Sequence, residues 1–252
     1  VIDAGKKLTM ITPDWPAPAC VKALVTTRQG GVSQAPFDGF NVGLHVGDNP
    51  PRVQQNRQQL QQYLNTACQP QWLQQVHGRD AVAAKSDGSV PEADACFSNL
   101  PGLPCAVMTA DCLPVFFCSR QGDKVAVAHA GWRGLAEGVL EATIDKLKVP
   151  PAELMVWLGP AIGPEQFEVG DDVRAIFMAF SEASAAAFKP QPNKPGHWLA
   201  DIYQLARLRL NQQGVDAIYG GSFCTYSDAE RFFSYRRDGV TGRMASVIWI
   251  EP

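Results

Sequence analysis

The sequence predicts an α+β fold, a mixed α/β arrangement in which a mixed β-sheet core carries flanking helices within a single domain. Three observations point there. Short apolar runs follow one another between residues 72 and 129. Helical patterns intervene irregularly instead of alternating with each strand. The 252 residues are 46% apolar and 19% charged, enough to bury one sizeable core, and cores divide only beyond roughly 250–300 residues.

The elements follow in order. Residues 20–27 are β-branched and apolar and read as a strand, after which 28–51 is a long Gly- and Pro-containing loop. Asn49 is an N-cap and Pro50 the first position of a helix with Val53, Leu60 and Leu64 on its apolar stripe. Its Gln-rich remainder reads as a solvated face. Runs at 72–76, 81–84, 93–97, 105–110, 115–118 and 124–128 read as strands, several buried on both faces. A helix is expected over 135–148, with Ala136, Leu140, Ile144 and Leu147 on one side and Pro150-Pro151 after it. Residues 154–158 form another strand and 171–180 another helix. Asp201-Ile202-Tyr203-Gln204 has capping-box spacing and opens a third helix that Gly214 closes. Residues 215–219 and 244–250 are the last strands.

A formal net charge of −3 gives no footing for neutralising phosphates along a duplex, so no nucleic acid is expected as a partner. No run approaches the roughly 20 apolar residues that cross a bilayer, and the first residues lack the apolar stretch of a signal peptide. No membrane association and a cytoplasmic location are expected. Seven cysteines form an odd set without framework spacing, as reduced thiols do.

The four histidines, at 45, 77, 129 and 197, can be weighed singly. His77 and His129 each end a predicted strand, and Cys112 follows another before Leu113-Pro114 breaks the chain. Two imidazoles and a thiolate suit Zn²⁺, and three protein ligands leave a fourth position open, the catalytic pattern. The same spacing fits hydrogen-bonded core histidines and an inert buried thiol equally well.

The flanking sequences bear on that choice. Thr109-Ala110-Asp111-Cys112-Leu113-Pro114 and His129-Ala130-Gly131-Trp132-Arg133-Gly134 resemble signatures of the laccase-domain family, also called the multicopper polyphenol oxidase-like or peptidoglycan-editing-factor family. So do Thr26-Thr27-Arg28-Gln29-Gly30-Gly31-Val32-Ser33, Asn41-Val42-Gly43-Leu44-His45-Val46-Gly47-Asp48 and Gln75-Val76-His77-Gly78. Leu158-Gly159-Pro160-Ala161-Ile162-Gly163 and Phe233-Ser234-Tyr235-Arg236-Arg237-Asp238 complete the set. The resemblance covers residues 10–252, the expected catalytic domain, and leaves 1–9 as a flexible N-terminal extension.

The resemblance implies a zinc site at His77, Cys112 and His129. It also implies phosphorolysis of purine nucleosides (adenosine, inosine, methylthioadenosine) by phosphate, with adenosine deamination as a companion activity. The family name implies copper oxidation of phenols instead. A four-copper laccase needs about ten histidines, and imidazole is the usual ligand for such metals. Four histidines exclude it within one subunit. A His₂Cys set is still the core of a blue-copper centre with Met108 as a conceivable axial ligand, although Met108 reads more simply as a core residue. Copper also binds a given donor set more tightly than zinc, so Cu²⁺ could occupy the site in vitro.

Other residues are assigned with alternatives. Asp111 is a proton-transfer group or orients a ligand, or else is a turn residue. Arg28 and Arg133 are candidate phosphate ligands by their fork geometry. Arg236 and Arg237 either reach the same cleft or lie on a salt-bridged face. His45 is a candidate donor to substrate, Asn41 and Gln75 candidate substrate contacts, Ser33 and Glu168 further polar candidates, and His197 a surface residue. Two rival classes stay open: a Cys112/His129 nucleophilic dyad acting as a hydrolase on peptidoglycan precursors, and a non-catalytic binding protein. The chain is expected to act as a monomer or homodimer.

Overall fold

The computed structural model describes residues 8–252. In chain order the elements are β1 (Met10–Ile11), β2 (Val21–Thr26), α1 (Pro50–Leu64), β3 (Ala81–Ala83), β4 (Ala95–Ser98), β5 (Cys105–Thr109), β6 (Leu113–Ser119) and β7 (Val125–Ala130). Then come α2 (Trp132–Glu137), α3 (Val139–Leu147), β8 (Leu154–Leu158), β9 (Glu168–Gly170), α4 (Asp171–Phe180), β10 (Phe188–Pro190), β11 (His197–Ala200), α5 (Ile202–Gln212), β12 (Ala217–Gly220), α6 (Tyr235–Asp238) and β13 (Met244–Ile250). The expected α+β fold with a mixed sheet at its core is what forms.

Six strands pair in the order β12-β8-β6-β7-β4-β3, four in the order β1-β2-β13-β5, and three in the order β10-β11-β9. The first sheet is mixed, since β12 runs parallel to β8 and β3 to β4 while its other pairs are antiparallel. Side-chain alternation explains why the strands read as unbroken apolar runs. Val115 and Phe117 of β6, with Ala126 and Ala128 of β7, face a core shared with α3 and α5. Phe116, Cys118, Val125 and Val127 face the opposite way, onto Cys105 and Val107 of β5 and Ile248 and Ile250 of β13. Ala106, Met108, Ala245 and Val247 cover the outer face of the second sheet, against Leu60 and Leu64 of α1. The layers are therefore helix, sheet, sheet, helices, and both central sheets are buried on two faces.

The caps formed as the sequence implies: the Asn49 side chain accepts from the Arg52 N–H, and that of Asp201 from the Gln204 N–H. Several expectations need correction. The helix expected over 135–148 is two helices, because Gly138 adopts a left-handed φ of 98° between α2 and α3. Residues 72–76 are no strand. Only Gln74 among them makes an isolated bridge, with another at the preceding Gln71, and Gln75 uses its side-chain amide where a strand would use its backbone. Pro114 does not break the chain; it sits near the start of β6 opposite His129, where a missing N–H is tolerated. The strand expected at 215–219 lies at Ala217–Gly220. Strands β1, β9, β10 and β11, at two to four residues each, are too short to show a period. Of the expected N-terminal extension, residues 1–7 lie outside the described residues, while the Thr9 carbonyl accepts from the Thr27 N–H at 3.1 Å and hydroxyl at 2.9 Å.

Candidate active site

His129 is the penultimate residue of β7, not the end of a shorter strand, and lies on the face that Val125 and Val127 turn toward the second sheet. Its imidazole is buried, and its Nδ1 meets Asp94 Oδ1 at 2.7 Å. Asp94 is fully buried just before β4. Its two oxygens also accept the backbone N–H groups of Val76 (3.1 Å), His77 (3.0 Å) and Gly78 (2.8 Å). Burial opposes the Asp94 charge, but the bond to His129, the charge of His129 and these amides hold the carboxyl below the usual carboxylate range.

His77 is therefore not at a strand end. It occupies a loop with a left-handed φ of 63°, and the amides on both sides of it wrap around one carboxylate. Its ring meets that of His129 edge-on, 4.8 Å between centroids. Cys112 enters from the link between β5 and β6. The side-chain donor atoms of His77, Cys112 and His129 all lie within 4.8 Å of one another. Two glycines make the cluster possible. A Cβ on Gly131 would stand 3.0 Å from both Cys112 Sγ and His77 Cδ2, and one on Gly134 would meet the Gly78 carbonyl at 2.5 Å.

The donors fit a metal ion. Tetrahedral zinc with Zn–S of about 2.3 Å and Zn–N of about 2.0–2.1 Å places its ligand atoms roughly 3.4–3.6 Å apart, a modest contraction of this cluster. Because Asp94 takes Nδ1 of His129, Nε2 is left as its donor, the arrangement typical of ligating histidines. The thiol is prepared too. Burial raises the Cys112 pKa, yet the charge and hydrogen bond of His129, followed by those of His77, bring it down to about 6. Burial lowers that of His129, and Cys112 with Asp94 lifts it to about 9.

The remaining predicted residues fall into two groups. Asp111, with a φ of 94°, accepts the Thr225 hydroxyl at 2.7 Å on one oxygen and the Arg236 N–H at 2.6 Å on the other, so its side chain anchors the C-terminal segment beside Cys112. Asn41 is fully buried and bonded to Gly43, Asp48 and Arg243. Gln75 clasps the Met108 backbone, donating at 2.8 Å and accepting at 2.7 Å. Arg28 donates to the carbonyls of Asp38 and Ala229 and pairs with the Asp38 carboxylate at 3.6 Å. All four do structural work here.

Arg133 is exposed, one residue into α2, with its guanidinium 4.5 Å from the Trp132 ring centroid. His45 is solvent-accessible, yet burial and the charges of Arg243, Arg57, His129 and His77 lower its pKa, which places it in the field of the site. Arg236 donates to the Glu168 carbonyl and Arg237 to those of Thr225, Tyr226 and Phe232. Ser33 accepts from Asn56, and Glu168 is paired with Lys194 and an exposed His197. The Met108 sulfur accepts from Arg57 on the outer face of its sheet.

Asp94 is the residue that sequence reasoning missed. Its signal was a lone acid between Ala93 and Ala95 in a run of buried small residues, and a carboxylate there demands partners.

The model of the family described as multi-copper polyphenol oxidoreductase laccase matches residues 22–251. The chain is 58% identical over 241 residues to a purine nucleoside phosphorylase of Pseudomonas aeruginosa, covering 96% of this chain and 98% of that one. It is 53% identical over 242 residues to the purine nucleoside phosphorylase YfiH of Escherichia coli, covering 96% and 98%. Among solved structures it is similar to Neisseria meningitidis protein NMB0706, with a TM-score of 0.93 and 52% identity over 96% of this chain and 99% of that one. YlmD from Geobacillus stearothermophilus matches with a TM-score of 0.87 and 33% identity over 94% of each chain.

Proposed function

The chain belongs to the family described as multi-copper polyphenol oxidoreductase laccases, and from that premise we propose that it is a zinc-dependent purine nucleoside phosphorylase. One observation carries the reading: a three-ligand cluster of His77, Cys112 and His129 lies in a chain 58% identical, over 96% of its length, to a protein named for that activity. Adenosine, inosine and methylthioadenosine are the substrates proposed, with adenosine deamination as a second activity.

His77, Cys112 and His129 would hold the metal, and bound zinc supplies Lewis-acid activation of a nucleophile at neutral pH. The chain's own groups do the rest. Asp94 holds His129 with Nε2 toward the cluster and fixes the backbone that presents His77. Asp111, tied to Thr225 and Arg236, keeps the Cys112 turn in place. His45, whose pKa is lowered by burial and by the charges of Arg243 and Arg57, can donate a hydrogen bond to the nucleoside. Arg133, exposed and two residues after Gly131, is a cation that can attract phosphate from solution.

The test pairs two measurements on protein purified without added metal: its metal content, and phosphate-dependent release of hypoxanthine from inosine. About one zinc per chain together with release only when phosphate is present supports the reading. Release that ignores phosphate contradicts it.

Two other readings have an observation each. The family description and the His₂Cys donor set favour a copper-dependent phenol oxidase. The lowered Cys112 pKa beside His129 favours a thiolate hydrolase acting on peptidoglycan precursors. Complete removal of metal separates them, since a hydrolase would keep its activity and the other two would lose theirs.

A further inference from the structure

Two half-buried arginines flank the loop that carries His45 and form no ion pair among the described residues: Arg57 on α1, and Arg243 immediately before β13. Arg57 donates from Nε to the Val42 carbonyl at 2.9 Å and from Nη2 to the Met108 sulfur at 3.6 Å, with its guanidinium 4.0 Å from the Trp72 ring centroid. Arg243 donates from Nη1 to the carbonyls of Thr241 and Gly242, both at 3.0 Å. Arg57 Nη1 and Arg243 Nε and Nη2 have no hydrogen-bond acceptor among the described residues. Burial lowers the pKa of both guanidinium groups, that of Arg57 to about 10. A desolvated cation without a counter-ion is costly unless a ligand brings the missing charge.

The loop carrying His45 runs between these arginines. The Val42 N–H donates to the Arg243 carbonyl at 3.3 Å, while the Val42 carbonyl accepts from Arg57. Asn41 Oδ1 accepts from the backbone N–H groups of Arg243 and Gly43, each at 2.9 Å. A Cβ on Gly43 would stand 2.9 Å from Arg243 Cγ, so only glycine lets the arginine lie across the loop. His45 follows two residues on, within the field of both arginines and of His129 and His77. Arg243 in turn feels Cys112 and Asp111. Asp111 forms no ion pair with it among the described residues; its oxygens accept from the Thr225 hydroxyl and the Arg236 N–H.

We propose that Arg57 and Arg243, with His45 beside them, form the anion subsite that holds inorganic phosphate against the nucleoside. This assignment rests on the phosphorylase reading above. Arg28 is the weaker candidate, since it already has a counter-ion in Asp38 and donates to the carbonyls of Asp38 and Ala229. Arg133 is exposed and lies over Trp132, so it lacks the burial that makes an unpaired cation costly. In the transfer, one oxygen of hydrogen phosphate bonds to the anomeric carbon while the carbon–nitrogen bond to the purine breaks. Its electron pair leaves on the base, and the phosphate's own proton ends on the base nitrogen. The two forks hold the phosphate's remaining oxygens through this step.

The experiment measures KM for phosphate and for inosine in Arg243→Gln, Arg57→Gln and Arg243→Lys, with metal content and thermal melting recorded for each. Both glutamine variants are expected to raise the phosphate KM about tenfold or more, with the inosine KM within about twofold. Arg243→Lys, which keeps the charge but not the fork, is expected to fall between. If Arg243→Gln fails to fold, Arg57→Gln and Arg243→Lys carry the same test. In parallel, ³¹P line broadening reads inorganic phosphate binding without turnover. Binding by the parent protein that is lost in a folded glutamine variant supports the subsite even if no nucleoside is cleaved, in which case only the phosphorylase reading falls. Phosphate-dependent cleavage of inosine with an unchanged phosphate KM in the folded variants overturns the subsite and leaves that reading standing.

Discussion

Asp94 and His129 are joined twice: Oδ1 of the one meets Nδ1 of the other at 2.7 Å, and the Asp94 carbonyl accepts the His129 N–H, also at 2.7 Å. The same carboxylate gathers three consecutive amides around His77. One buried acid thus sets the position of two of the three candidate ligands.

Asp94→Asn should therefore weaken metal binding by about 10–100-fold, the usual cost of losing a group that orients a ligand. The asparagine keeps the size but can present an N–H to His129 Nδ1, which favours the wrong tautomer. Chelator competition measures the effect. Undiminished affinity would mean that Asp94 is only a structural residue.

Gly131→Ala places a methyl group 3.0 Å from Cys112 Sγ and His77 Cδ2. Metal affinity should fall while the melting temperature changes little, because the clash lies at the cluster and not in the core. Gly134→Ala, whose new carbon would meet the Gly78 backbone at 2.5 Å, should lower the melting temperature as well. If Gly131→Ala kept full affinity, the ligands would not be packed as described.

The thiol gives a pH test in metal-free protein. Cys112 ionises at about 6 in the fold, so alkylation by iodoacetamide should reach half its maximal rate near that pH and not near the ordinary thiol value. Stability should hardly follow. The depressed Cys112 pKa adds stability that is fully present above the unfolded thiol pKa and lost as pH falls toward 6. The raised His129 pKa adds stability that is present below the unfolded imidazole pKa and lost as pH rises through about 9. Between roughly pH 6.5 and 9 the two slopes oppose and cancel. An alkylation midpoint above 8 would show that His129 does not stabilise the thiolate.

Much of this site was legible in the chain, because the residues nearest the chemistry sit in contiguous motifs. Cys112 follows β5, His129 lies one residue before the end of β7, and the glycines of His129-Ala130-Gly131-Trp132-Arg133-Gly134 are now explained by what a Cβ would strike. Strands β8 and β13 were readable to the residue as long apolar runs. What depended on distant partners was not. The loop of His77 is shaped by a carboxylate 17 positions away, and Gln75 mimics a strand only because the Met108 backbone lies beside it. The hold that Arg28 takes on the Asp38 and Ala229 carbonyls, the latter 201 positions away, is another such case. The break at Gly138 needed only more weight on one glycine in an otherwise helical pattern.

The most direct measurement is anaerobic turnover of inosine by zinc-loaded protein, with Cys112→Ala as its control. Phosphorolysis transfers a glycosyl group and moves no electrons, and zinc is redox-silent. The account predicts hypoxanthine and ribose 1-phosphate in equal amounts, at the same rate with or without oxygen. It also predicts loss of both metal and activity in a Cys112→Ala protein that still folds. Strictly oxygen-dependent oxidation of phenols by copper-containing protein as isolated, with no phosphate-dependent cleavage of inosine, would contradict it.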